Sequence, residues 1–373
     1  MDSAARPSPR SCALGVFVLV VVAAALRFQG LDWDDGQHLH PDERFLTMVE
    51  TAIRAPRSFA EYFDSAHSPL NPGNHGYGFF VYGTLPLFLV HFIAAALGMT
   101  DYGRVHLVGR AVSATFDVGT VWLTYSLGSR LFGRRTGLVA CALAAFSVTS
   151  IQNAHFFTVD GAAAFFATAS LRALLVVAET GSLASHLLFG AAFGAMLGCR
   201  INLALLGAVY PIALIHAWRV SGRSMAPLVG AALASAAVAA LVFRLVQPYA
   251  FAGPGFFGVS LAPQFLASMA EIRGFATGAV DYPPSVQWIG RTPVVFAARN
   301  LLLWGIGPAW GAAVLAGIGS WILARGRSPR GGDWLAIVPL AWAAVLFGYH
   351  SVQFAATVRY FLPVVPVLAV FAA

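Results

Sequence analysis

From Ala226 to Phe243 the chain reads APLVGAALASAAVAALVF, without a charged residue. Lipid offers no partner to backbone N–H and C=O groups, so a stretch like this crosses a membrane only as a helix. A crossing needs about 20 apolar residues. The run is not isolated. Comparable stretches lie at 12–26, 105–128, 136–153, 161–178, 187–199, 201–218, 305–324, 334–349 and 360–373, and a further one, 78–98, is interrupted by Pro86. Of the 373 residues 58% are hydrophobic and 10% charged, against about 25% charged in a soluble domain. That composition cannot build a water-soluble surface. The chain reads as an all-α, polytopic transmembrane bundle forming a single domain over 1–373. Its net charge of +7 suits membrane topology, and nothing resembles a nucleic-acid module. Cys12, Cys141 and Cys199 are scattered and suggest neither a disulfide framework nor a zinc knuckle.

The basic clusters orient the bundle. They are Arg6/Arg10, Arg130/Arg134/Arg135, Arg219/Arg223 and Arg325/Arg327/Arg330, and short Arg-rich loops stay cytoplasmic. The first run is followed by Arg27 and Phe28 without a small-residue cleavage site, so it reads as an uncleaved helix. If 78–98 spanned fully, Arg130–Arg135 would fall outside. Pro86 and the glycines at 76, 78 and 83 favour a broken segment that dips and returns. Parity then places 27–110, 154–160, the turn at Arg200, 244–293 and 350–359 on the outer face. The spans 187–199 and 201–218 are short and read as a broken pair around Arg200. The last apolar run stops without a polar flank, and a further C-terminal part is expected.

The outer segments hold the ionisable residues. Asp42 and Glu43 follow His38-Leu39-His40-Pro41. They suit an ordinary acidic first turn of a helix, or a general base or metal ligand. Asp160 opens an apolar helix and suits an N-cap, yet it lies at the same membrane level as Asp42. Two acids at one level can share a divalent cation or divide base and metal duties; His40 is a candidate third ligand. Arg200 sits between apolar runs, as a snorkelling side chain or a partner in a polar cavity. Arg359 lies at an outer helix end, where topology does not explain it but recognition of a phosphate would. Arg291 in the loop DYPPSVQWIGRTP is a further cation of the outer face, among aromatics suited to interface anchoring.

Taken together, Arg27, GLDWDDGQHLHPDERF, GRAVSATFDVGTVWLTYSLGSRLFGRRTGLVACALAAFS, HFFTVDGAAAFF, LGCRINLALL and RYFLPVVP resemble the GT-C membrane glycosyltransferases. The likeness is to the family 39 type, which includes protein O-mannosyltransferases and aminoarabinose transferases. It implies a bundle with outer-face loops and juxtamembrane helices, in a cell or inner membrane. It also implies a polyprenyl-phosphate sugar donor used on the non-cytoplasmic face. The acceptor is left open between protein, lipid and glycan, and a divalent metal is a possible cofactor. The family's Asp-Glu pair falls on Asp42 and Glu43, with Asp42 as catalytic base, and its second outer acid on Asp160. Donor-phosphate contacts are expected from Arg359, then Arg200, with Arg291 as a third, and metal ligation from Asp42, Asp160 and His40. Rival classes are a transporter or channel, a non-catalytic member of a glycosylation complex, and a metal-dependent membrane hydrolase.

Overall fold

A computed structural model describes residues 9–222, 224–327 and 333–373. Arg6, Arg223 and Arg330 of the expected basic clusters lie outside the described residues. Among those described the chain is helical, with one isolated bridge between Phe251 and Leu261 in place of any strand. The longer helices are α1 (Pro9–Phe28), α2 (Pro41–Ala52), α3 (Thr84–Leu97), α4 (Val105–Phe132), α5 (Arg134–Ala145), α6 (Val148–Ala154) and α7 (Asp160–Thr180). They continue with α8 (Leu183–Leu197), α9 (Tyr210–Ser221), α10 (Met225–Val246), α11 (Pro263–Thr277), α12 (Pro308–Arg327), α13 (Ile337–Ser351) and α14 (Val365–Ala372).

Among the described residues, five helical stretches can cross a membrane by length and composition, or up to seven if each bent pair is one span. The difference from the longer set read off the sequence has local causes. Helix α4 is long enough but carries Arg110, Asp117 and Arg130. Helices α5 and α6 bend by 55° at Phe146–Ser147, and Val295–Gly305 meets α12 at 115°. Helices α8 and α14 are short. The expectation of two short spans broken around Arg200 holds only for the first: α8 stops at Leu197, but Ile201–Val220, a 3-10 helix continuing into α9, is 20 residues long and can cross a membrane by itself.

Pro86 does not break the 78–98 run as expected. It sits in the first turn of α3, where its missing N–H has no helical partner to lose. The 14 residues of α3 span about 21 Å, short of the roughly 30 Å hydrocarbon core. The approach to it is tight. Gly83 N–H donates to the Cys199 carbonyl at 3.0 Å and Leu85 N–H to that of Gly198 at 3.1 Å. A Cβ on Gly83 would lie 2.1 Å from the Gly198 oxygen. Thr84 ties the same point to the end of α10, through Gln247 Oε1 and the Val246 carbonyl.

Helix α7 is the inner pillar, with 72% of its apolar window buried against 17% for α1 and 22% for α10. Leu14, Phe17 and Val21 of α1 and Leu233 and Leu241 of α10 are exposed. Apolar rows of that size are unfavourable in water and at home in lipid, so the protein is a multi-pass membrane protein. One core joins α4, α7, α8, α13 and α14 around Leu171, Leu174, Trp342 and Val367. A second joins α2 and α3 to the start of α4 through Leu46, Val49, Leu87, Val90 and Val108. That second core fixes α2 against the bundle.

Candidate active site

Helix α2 begins where the sequence signals ask. His40 is its N-cap, its Nδ1 accepting from the Glu43 N–H at 3.4 Å, and Pro41 holds the first helical position. Asp42 and Glu43 then leave the helix in different directions, since adjacent helical residues do not face each other. Asp42 forms an ion pair with Arg359. Arg359 Nη1 also lies 3.8 Å from Asp160 Oδ2, and Arg200 Nη1 pairs with Asp160 Oδ1 at 3.1 Å. The result is a chain of alternating charge, Asp42–Arg359–Asp160–Arg200, drawn from four distant parts of the sequence. Asp160 is 3% exposed. The Tyr360 ring lies between the cations, 4.6 Å from the Arg200 guanidinium and 5.7 Å from that of Arg359. Tyr82 lies near Asp42, and burial together with that carboxylate pushes its hydroxyl pKa up.

Burial alone would raise the Asp42 pKa. The Arg359 charge and hydrogen bond, helped by His40 and Arg200, outweigh it and hold the carboxyl below its usual range. Asp42 is therefore an ionised acceptor with a cation on it. For His40 burial dominates and lowers the pKa, so the imidazole is neutral at physiological pH.

Glu43 has a separate set of partners. Fully buried, it takes Arg110 Nε at 2.9 Å and Nη2 at 2.5 Å in a two-pronged pair, and the Phe157 N–H at 2.7 Å. Arg110 also holds Asp34 at 2.9 Å and the Leu31 carbonyl at 2.5 Å. Every polar atom of Glu43 is thus committed to holding α2, α4 and the 156–158 turn together. Arg291 is not brought to the cluster. Its Nε donates to Gln287 within its own loop, and its guanidinium lies over Phe296. Nor do Asp42, Asp160 and His40 converge as a ligand set: Arg359 stands between the acids, and His40 Nδ1 caps its helix.

Two contributors went unread in the sequence. Arg110, in the second turn of α4, and Tyr82, two residues before α3, are not among the candidates read off the sequence. Arg110 carried a signal, since it shares a helix face with Asp117 seven residues on. Asp117 is itself paired, with the buried Arg27, whose other nitrogens donate to the Ala144 and Ala145 carbonyls. That bolt joins α1 to α4 and α5.

Residues 86–243 match the family model described as Dolichyl-phosphate-mannose-protein mannosyltransferase. No curated protein matches the sequence significantly. Among solved structures, ArnT from Cupriavidus metallidurans bound to undecaprenyl phosphate is similar with a TM-score of 0.58 at 17% identity, over 98% of this chain and 60% of its own. The archaeal oligosaccharyltransferase AglB from Archaeoglobus fulgidus, solved with an inhibitory peptide and a dolichol-phosphate, gives 0.56 at 14% identity, over 97% of this chain and 50% of its own. An Archaeoglobus fulgidus oligosaccharyltransferase in complex with Zn and sulfate gives 0.61 at 16% identity, over 96% and 48%. At such identities the likeness shows the fold. The chain spans 60% of the length of ArnT and about half that of the oligosaccharyltransferases.

Proposed function

We propose that the chain is a GT-C membrane glycosyltransferase that moves a sugar from a polyprenyl-phosphate carrier to an acceptor on the non-cytoplasmic face of the membrane; the partial family match and the shared fold support this reading. The observation that carries the reading is the Asp42–Arg359–Asp160–Arg200 chain. It sets two guanidiniums beside one ionised carboxylate and one buried one. Guanidiniums bind phosphate oxygens through paired N–H donors. Arg359 and Arg200 bind the carrier phosphate, with Tyr360 fixing their planes. Once Arg359 turns to the phosphate, Asp42 is left without its cation and becomes a stronger base.

The acceptor hydroxyl or amine then attacks the anomeric carbon. Its proton passes to Asp42, the bond from that carbon to the phosphate oxygen breaks, and the electron pair leaves on the lipid phosphate. The leaving group is already a stable anion, so it needs charge compensation rather than an acid. Direct attack inverts the anomeric centre. Asp160 holds both arginines in place, and Glu43, through Arg110, holds the helix that presents Asp42.

Two variants test this reading with a labelled polyprenyl-phosphate sugar as donor and polyprenyl phosphate as binding probe. Asp42→Asn is expected to lower transfer by about 10²–10⁴-fold, the usual contribution of a general base, while leaving probe binding unweakened, because it frees Arg359. Arg359→Ala is expected to weaken probe binding by about tenfold or more. Full turnover in Asp42→Asn, or unaltered binding in Arg359→Ala, sinks the assignment.

A further inference from the structure

A second constellation lies on the other side of Arg110. The loop 29–39 leaves α1 and is pinned to the bundle: Trp33 Nε1 donates to the His155 carbonyl, Arg110 to that of Leu31, and Leu39 N–H to Asp34 Oδ2. It delivers Asp32 and Asp34 to the first turn of α4, where His106 points at them. One ligand atom from each of Asp32, Asp34 and His106 falls within 4.8 Å of the other two. His106 Nε2 is 3.9 Å from Asp32 Oδ1.

Two observations separate this group from an ordinary acidic turn. His106 is 0% exposed, and neither of its ring nitrogens has a hydrogen-bond partner. His38, 2% exposed and with its ring centroid 4.4 Å from that of His106, also has both nitrogens unpartnered. Buried polar atoms are almost always bonded, and an orphan in a folded chain asks for an explanation such as an ion. Here four occur side by side, next to two carboxylates. The buried carboxylates Asp34 and Glu43 share one guanidinium, Arg110, and Asp32 adds a further carboxylate at the rim.

We infer that Asp32, Asp34 and His106, with His38 beside them, bind one divalent transition-metal ion of the Zn²⁺ class. Imidazole with carboxylate suits Zn²⁺, whereas Mg²⁺ and Ca²⁺ select oxygen ligands alone. Asp34 can serve although Arg110 and Leu39 already bond to it, since each carboxylate oxygen keeps a second lone pair. Arg110 and Leu39 then orient the ligand, as outer partners do in metal sites. The ion would lock the loop 29–39 to α4, and through Asp34, Arg110 and Glu43 it would fix the start of α2 and hence Asp42. The site is distinct from the Asp42–Asp160 cluster and does not depend on the transfer reaction.

The test uses the full chain, purified, stripped with a chelator and titrated with Zn²⁺ against a chromophoric competitor. One equivalent per chain is expected. Asp32→Asn, at an exposed side chain whose loss does not endanger folding, is expected to weaken binding by about tenfold or more, as is His106→Gln. Asp42→Asn and Asp160→Asn are expected to leave the equivalent in place. Co²⁺ in place of Zn²⁺ is expected to give visible d–d bands that His106→Gln alters. The inference is overturned by the absence of a bound equivalent. It is equally overturned by one that survives Asp32→Asn and His106→Gln, or by one lost in Asp160→Asn.

Discussion

Asp42 and Glu43 are joined by one peptide bond and lie about 100° apart around the axis of α2. One meets the partly exposed Arg359 and the other the fully buried Arg110. Removing one partner of a buried, doubly bonded pair leaves the other charge stranded, at a cost of about 3–5 kcal/mol. Glu43→Ala is therefore expected to lose stability on that scale in thermal unfolding, while Asp42→Asn unfolds close to the parent. Equal losses in the two would contradict their separation. Glu50 supplies the pH dependence. Burial raises its pKa from 4.5 to about 7, and the hydrogen bond and charge of His91 only partly oppose this. The fold thus favours the protonated acid. Its contribution is full below pH 4.5 and is lost as pH rises through about 7, a change of about 3 kcal/mol. Between about pH 5 and pH 8 the unfolding temperature is expected to fall more in the parent than in Glu50→Gln; parallel curves would dismiss the idea. At this scale the ionisable residues at the helix ends were legible, because few charges interrupt so apolar a chain. Which charge pairs with which was not, since Arg359 and Asp42 are 317 positions apart.

Helices α8 and α10 run closer than side chains on both would allow. Gly190 and Gly194, in GAAFG, face α10, where a Cβ would come within 2.3 Å of the Ser235 carbonyl oxygen and 2.5 Å of that of Ala239. Small residues spaced by four are the usual device for such approach in a membrane. Gly194→Ala is expected to push the helices apart, costing about 1–3 kcal/mol as other overpacked contacts do. A thermal stability assay in detergent measures it, and an unchanged transition would mean that the seam has slack. Most helices could be placed from apolar runs. Their breaks were harder to see. Pro86 read as an interruption because a proline inside a helix is disruptive, but three residues into a helix it costs nothing. The bend between α5 and α6 falls at Phe146–Ser147, where Ser147 caps the new helix, a signal hidden inside one apolar stretch.

Across the whole molecule, the segments placed on one face by counting arginines are bonded to one another. The α2 start reaches 157 and 359, the α3 start reaches 198–199 and 246–247, and Asn202 approaches His350 at 3.5 Å. Arg134 opens α5, with only Gly133 between it and the end of α4, among the basic clusters. The proposed orientation predicts that Phe257→Cys, at a side chain 89% exposed, reacts with an impermeant maleimide in intact cells. Arg134→Cys is expected to react only after permeabilisation; the opposite pattern would invert the assignment. The native cysteines are buried and leave the background low. The proposed sharing of Arg359 between Asp42 and the carrier phosphate bears on fidelity. Water is the most abundant nucleophile at any outer membrane surface, and an unguarded base would activate it as readily as an acceptor. A carboxylate silenced until the leaving group has docked confines that hazard to the loaded state, when the acceptor has its best chance to exclude solvent. In the proposed cycle, discharge of the lipid phosphate returns the arginine to its acid, so each turn ends by disarming itself.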